Sequence, residues 1–266
     1  MRSCIAAFLS VPMLLGVAAG AAAEECPDNP EAIGTSRTMA VKPDEFPLVG
    51  KEQYRETLRL ENREVVLTFN DGPVAPYTHK VLETLAAECV KATFFLLGAN
   101  VAEVPDLARR AVSDGHTVGT LAFSDEPLGN MPHAAAIREI DKGIAAALKA
   151  LGNPHDLAPF FRAPYLETTP AIEMHLYSRG IMIWSFDVAA DDWTEITEER
   201  MVELVMKRLG EAGKGIILLH DIQPVTARAL RMLLAELKRQ NYRIVHVVPA
   251  SASPPRPLPK STSFMR

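Results

Sequence analysis

From Glu64 onward the apolar and polar positions fall into two alternating rhythms. Short, almost continuously apolar runs occur at 64–69, 92–97, 116–120, 159–163, 181–186, 215–219 and 243–248. Runs of this length, with few polar interruptions, predict strands buried on both faces. Between them the apolar positions recur mostly every three or four residues, as in the run from Ala135 through Ile137, Ile140, Ile144 and Leu148 to Leu151. That spacing predicts helices near 77–88, 104–114, 133–151, 170–179, 198–210 and 225–240. End signals agree. Thr169 precedes Pro170, a capping hydroxyl before a proline suited to the first helical position. Thr197 precedes Glu198 and Glu199, whose charges suit the positive end of a helix. About seven strands alternating with helices predict an α/β fold with a parallel sheet. The expected form is a distorted or incomplete (β/α) barrel, and a doubly wound open sheet is the alternative.

The two ends follow other patterns. Arg2, the apolar run Ile5–Val17 and the small residues Gly20 to Ala23 form the sequence of a cleavable secretory leader, 1–23. The apolar run is too short to span a bilayer, and Cys26 lacks the preceding motif of a lipid anchor. A secreted or periplasmic protein without a stable membrane anchor is expected. Residues 24–60 carry prolines and charges without strong periodicity and read as an N-terminal extension on the surface of a domain at 61–250. The tail 251–266 is rich in proline and is expected to be disordered. A formal charge of −5 argues against nucleic acid as a partner. After cleavage, Cys26 and Cys89 remain, either as a disulfide or with Cys89 as a buried thiol.

Polar residues gather where the predicted strands end. Asn70-Asp71-Gly72-Pro73 follows the first, Arg162 the fourth, Asp187 and Asp191-Asp192-Trp193 the fifth, and His220-Asp221 the sixth. Parallel strands bring such ends to one rim, where barrel enzymes place their chemistry. Asp71 offers a carboxylate for a metal. Asn70 is a neutral amide and accepts no proton near neutral pH.

These segments, in this order, resemble the polysaccharide deacetylase family with the NodB-homology domain, carbohydrate esterase family four. The resemblance rests on Thr68-Phe-Asn-Asp-Gly-Pro73, Gly115-His-Thr-Val-Gly-Thr120, Arg162-Ala-Pro-Tyr165, the Asp-Trp segment ending at Trp193, and Leu218-Leu-His-Asp221. It implies a hydrolase that removes acetyl groups from N- or O-acetylated, chitin- or peptidoglycan-like oligo- or polysaccharides with a divalent, zinc-type metal. By that resemblance Asp71 is a metal ligand and His220 the general acid. Arg162 orients the base, and Asp187 or Asp192 tunes His220. Tyr165 contributes a backbone N–H to an oxyanion site. Leu218 lines the acetyl pocket, and Trp193 either stacks on a sugar or does not.

The chain departs from the family pattern at three positions. The base position is Asn70. The two metal histidines are replaced by Leu121, which has no donor atom, and by Asp125, or Glu126 if the loop is shifted. Catalytic zinc normally takes three protein ligands, and loss of a general base costs roughly 10²–10⁴ in rate. Two readings follow: a deacetylase-family protein with weakened or lost metal-dependent activity, or an inactive glycan- or partner-binding protein. Asn70 also leaves Arg162 without an anion, so Arg162 is expected to pair with Asp191 or Asp192. Without a metal, Asp71 must be held by backbone N–H groups near Gly72, or its pKa must rise. His116 is expected to be a packed core imidazole.

Overall fold

The computed structural model describes residues 26–250. The expected leader, 1–23, and the expected disordered tail, 251–266, lie outside them. Ten strands and seven α-helices follow in chain order. They are β1 (Thr35–Val41), β2 (Leu48–Val49), β3 (Glu64–Asn70), α1 (Tyr77–Ala87), β4 (Thr93–Leu96), α2 (Gly98–Glu103), α3 (Pro105–Ser113) and β5 (Thr117–Thr120). Then come α4 (His133–Leu151), β6 (Phe160–Phe161), α5 (Pro170–Ser178), β7 (Met182–Trp184), β8 (Val188–Ala189), α6 (Glu198–Ala212), β9 (Gly215–His220), α7 (Pro224–Arg239) and β10 (Arg243–Pro249).

Every ladder is parallel. The sheet curves through β8, β9, β3, β4, β5, β6, β7 and β2, and β10 and β1 extend it from the start of β3. No ladder joins β7 to β8 among the described residues. The result is the distorted, incompletely closed barrel that the alternation predicts. All of β3 is buried, because β9, β4 and β10 each pair with part of it. Val65, Leu67 and Phe69 pack outward under the helices. Val66 packs inward with Phe95, Leu97, Leu121, Phe160, Trp184 and Leu218. By strand alternation Thr68 and Asn70 share that inward face, so the polar end of β3 opens from the barrel's interior.

The helix caps form as the sequence predicts, with Thr169 Oγ1 accepting from Ile172 N and Thr197 Oγ1 from Arg200 N, both at 3.3 Å. Residues 26–60, the described part of the expected surface extension 24–60, differ from that expectation. They supply β1, which pairs with β10, and β2, which pairs with β7. Arg37 of β1 grips the buried Glu64 of β3 through Nε and Nη2 at 2.8 and 2.6 Å. This clamp explains why a strand of weak periodicity docks there. Cys26 and Cys89 form a disulfide, so Cys89 is not a free thiol. No described helix is long and apolar enough to cross a membrane.

Candidate active site

The site is built on the chain reversal after β3. Asp71 takes a left-handed backbone conformation, φ +72°. Its N–H donates to Phe95 O at 3.1 Å, and its own carbonyl accepts from Asn100 Nδ2 at 2.7 Å. Gly72 follows because nothing larger fits: a Cβ there would lie 2.0 Å from Asp221 Oδ2. Asp221 is fully buried and accepts from Thr78 Oγ1 at 2.5 Å and from Gly72 N at 3.2 Å. Burial pushes its carboxyl up to about 7. Asp221 thus ties the turn after β9 to the turn after β3. Nothing in the sequence points to Thr78 as its partner.

Asp71 projects beside the His220 ring, with Oδ2 3.9 Å from His220 Nε2. Burial, together with the charges of Asp125 and Asp192, pushes Asp71 up to about 6, although His220 opposes the shift. Of the two outcomes expected for Asp71, burial favours the rise in pKa.

His220 ends β9 opposite Asn70 in the ladder. Its Nδ1 lies 2.7 Å from Asp192 Oδ1, and its backbone N–H donates to Asp192 Oδ2 at 2.7 Å. Thr226 Oγ1 donates to the same carboxylate oxygen. Burial disfavours the imidazolium, but the Asp192 hydrogen bond and the charges of Asp192 and Asp71 outweigh it, so the pKa is raised. Asp192, not Asp187, is therefore the partner of His220. Asp187 accepts from Lys51 N, Thr57 Oγ1 and Ile216 N at 2.9, 2.7 and 2.7 Å. Ile216 lies four residues before His220, roughly 13 Å down the strand, so Asp187 braces the opposite end of β9. Trp193 is half exposed, and its ring meets His220 edge-on at 5.4 Å. It forms a wall beside the imidazole.

Arg162 is fully buried at the end of β6. It does not pair with Asp191 or Asp192 as expected. Asp191 is held by Arg208 at 2.7 and 2.8 Å, and Asp192 is taken by His220. Arg162 Nη1 donates instead to Asn70 Oδ1 and Thr68 Oγ1, both at 2.9 Å, and Nη2 to Ser185 O at 2.8 Å. The guanidinium lies over the Phe95 ring, 4.4 Å from its centre, and its Nε has no partner. Burial pulls its pKa down to about 9, with Asp71 and Asp187 working against the drop.

The residues at the expected metal positions do not fit a zinc-type ion. Leu121 is buried at 1% exposure in the barrel interior. Asp125 Oδ2 accepts from Tyr165 Oη at 2.9 Å. Tyr165 is exposed on a left-handed turn, and this hydrogen bond raises its pKa. Among the described residues no group of three or more His, Cys, Asp and Glu side chains is placed to hold a metal ion. The expected pair, Asp71 and Asp125, gains no third donor among the described residues. Leu218 lies on β9 at the edge of the inner cluster, at 6% exposure.

Comparison with known proteins agrees with this architecture. The Polysaccharide deacetylase family profile matches residues 58–182. Peptidoglycan-N-acetylglucosamine deacetylase PgdA of Listeria monocytogenes is 32% identical over 189 residues, covering 70% of this chain and 38% of its own length. The chain thus spans well under half of that relative. Chitooligosaccharide deacetylase of Bradyrhizobium is 31% identical over 203 residues, 70% of this chain and 90% of its own. Among solved structures, the Bdellovibrio bacteriovorus peptidoglycan deacetylase Bd3279 superposes with a TM-score of 0.72 at 28% identity, over 81% of this chain and 59% of that one. The chain belongs to the polysaccharide deacetylase family.

Proposed function

We propose that this protein recognises an N-acetylated amino-sugar chain of the chitin or peptidoglycan type at the rim around His220, and that metal-assisted deacetylation is lost there. One observation carries the second half of this reading: the position that should accept the water's proton is a neutral amide bound to Arg162. The neighbouring position that should offer an imidazole is a buried hydrocarbon, Leu121. What remains is His220 steadied by Asp192, a Trp193 wall and a polar floor. Such a surface suits a sugar ring, which stacks its apolar face on an aromatic and hydrogen-bonds around its edge. The named relatives act on peptidoglycan and chitooligosaccharide, which supports the ligand class. The leader-like N-terminus and the disulfide support a location outside the cytosol, secreted or periplasmic.

The test is acetate release from N-acetylglucosamine oligomers and peptidoglycan fragments with zinc supplied, alongside binding by calorimetry. Saturable binding is expected, with turnover at least about 10²-fold below that of a zinc-charged relative. Zinc-dependent turnover at the relative's rate, abolished by His220→Ala, would overturn the reading.

A further inference from the structure

The side chain of Asn70 can be oriented without ambiguity. A guanidinium carries only donors, and Arg162 Nη1 lies 2.9 Å from Asn70 Oδ1. The amide oxygen therefore faces the buried cation and Nδ2 faces away from it. Arg162 is pinned on its other sides by Thr68 and Ser185, so the guanidinium holds that orientation. Nδ2 donates to no group among the described residues, and it is not one of the enclosed atoms left without a partner. Asn70 keeps 7% exposure at the C-terminal end of β3. Its amide N–H₂ is thus a free donor at the rim, directly opposite His220 in the ladder.

A carboxylate at position 70 would present a lone pair here. Asn70 presents hydrogens, which reverses the polarity of the spot. Leucine edges are close by: Leu97, whose N–H donates to Gly72 O, and Leu218, two residues before His220 on β9, keep 7% and 6% exposure. A donor next to leucine surface is complementary to an acetamido group, with its carbonyl oxygen and its methyl.

We propose that Asn70 Nδ2 donates to the carbonyl oxygen of a sugar N-acetyl group whose methyl lies against the Leu97 and Leu218 edges, so that the rim discriminates acetylated from deacetylated glycan. This deepens the proposed function and rests on it. A deacetylated sugar offers an ammonium, which has only donors and leaves Asn70 unmatched. A site whose polar group is left unmatched discriminates more strongly than one that merely loses a methyl.

The experiment is calorimetric titration of N-acetylglucosamine and glucosamine oligomers of equal length into wild type, Asn70→Asp, Asn70→Ala and Trp193→Ala, with thermal melts to confirm folding. Wild type is expected to prefer the acetylated oligomer by about 10-fold or more. Asn70→Asp should lose about 10- to 100-fold for the acetylated oligomer and none for the deacetylated one, and Asn70→Ala should shrink the preference without the added charge. Trp193→Ala should weaken both oligomers alike. Wild-type binding with a preference that survives both Asn70 changes overturns the Asn70 assignment and leaves the glycan reading standing. Failure of wild type to bind either oligomer overturns both.

Discussion

Replacing Asn70 with Asp should stabilise the fold, by an amount that depends on pH. Arg162 is fully buried with only neutral hydrogen-bond acceptors. Its pKa near 9 corresponds to about 5 kcal/mol of penalty on the charged form. An aspartate at position 70 turns one neutral acceptor into an anion. A hydrogen bond worth about 1 kcal/mol then becomes a charge-assisted one worth about 1.5–3 kcal/mol. Repulsion from Asp71 trims the gain, so a net of about 1–2 kcal/mol is expected. For a domain of this size that raises Tm by roughly 2–8 °C at pH 8. The new carboxylate is held below its unfolded pKa of about 3.9, so the gain is fully present above about pH 4. It disappears as the pH falls through the lowered folded value. Scanning calorimetry of both proteins from pH 3 to pH 8 reads this directly. An unchanged or lowered Tm across that range would mean that Arg162 gains nothing from an anion at position 70 and that Asp71 and Asp187 already balance it.

Two further predictions concern the scaffold. The Cys26–Cys89 bridge spans 63 residues, so replacing both cysteines with Ser should cost about 4 kcal/mol on the chain-entropy account; a loss under about 1 kcal/mol in urea unfolding would count against it. His116 is buried and neutral, its pKa pulled down to about 3 by burial and by Lys91. The unfolded chain takes up that proton first, so the stability His116 supports is complete above about pH 6.5 and is lost as pH falls toward 3. His116→Phe should remove about 3 kcal/mol of the acid sensitivity between pH 6.5 and 4.5, and parallel slopes for the two proteins would contradict the burial argument.

Most of the sheet was legible because buried parallel strands leave a plain mark. The run at 215–219 is β9 less its final residue, and 133–151 is α4 in full. β1 was not legible: Thr35–Val41 has only one fully buried position, and its hold on the sheet is the Arg37–Glu64 contact, which joins residues far apart in sequence. β2 and β8 are two residues each, too short for any periodicity. In the site, Asp187 and Asp192 both follow β7, and only the register of β8 against β9 places one at each end of the strand. The sequence points Arg162 to the wrong partner because it cannot show that Asp191 is held by Arg208 and that Asp192 is already claimed by His220 and Thr226. The losses at Asn70, Leu121 and Asp125 needed no structure, since they are matters of which atoms a side chain carries.

Among the described residues this rim lacks the donors to gather a catalytic metal. Zinc titration of the purified protein by calorimetry puts this to the test, with the triple variant Asn70→Asp, Leu121→His, Asp125→His as the positive comparison. The wild type should show no stoichiometric zinc binding, and the variant should bind one ion and gain acetate release. One tightly bound zinc per wild-type chain, lost on Asp71→Ala, would contradict the account.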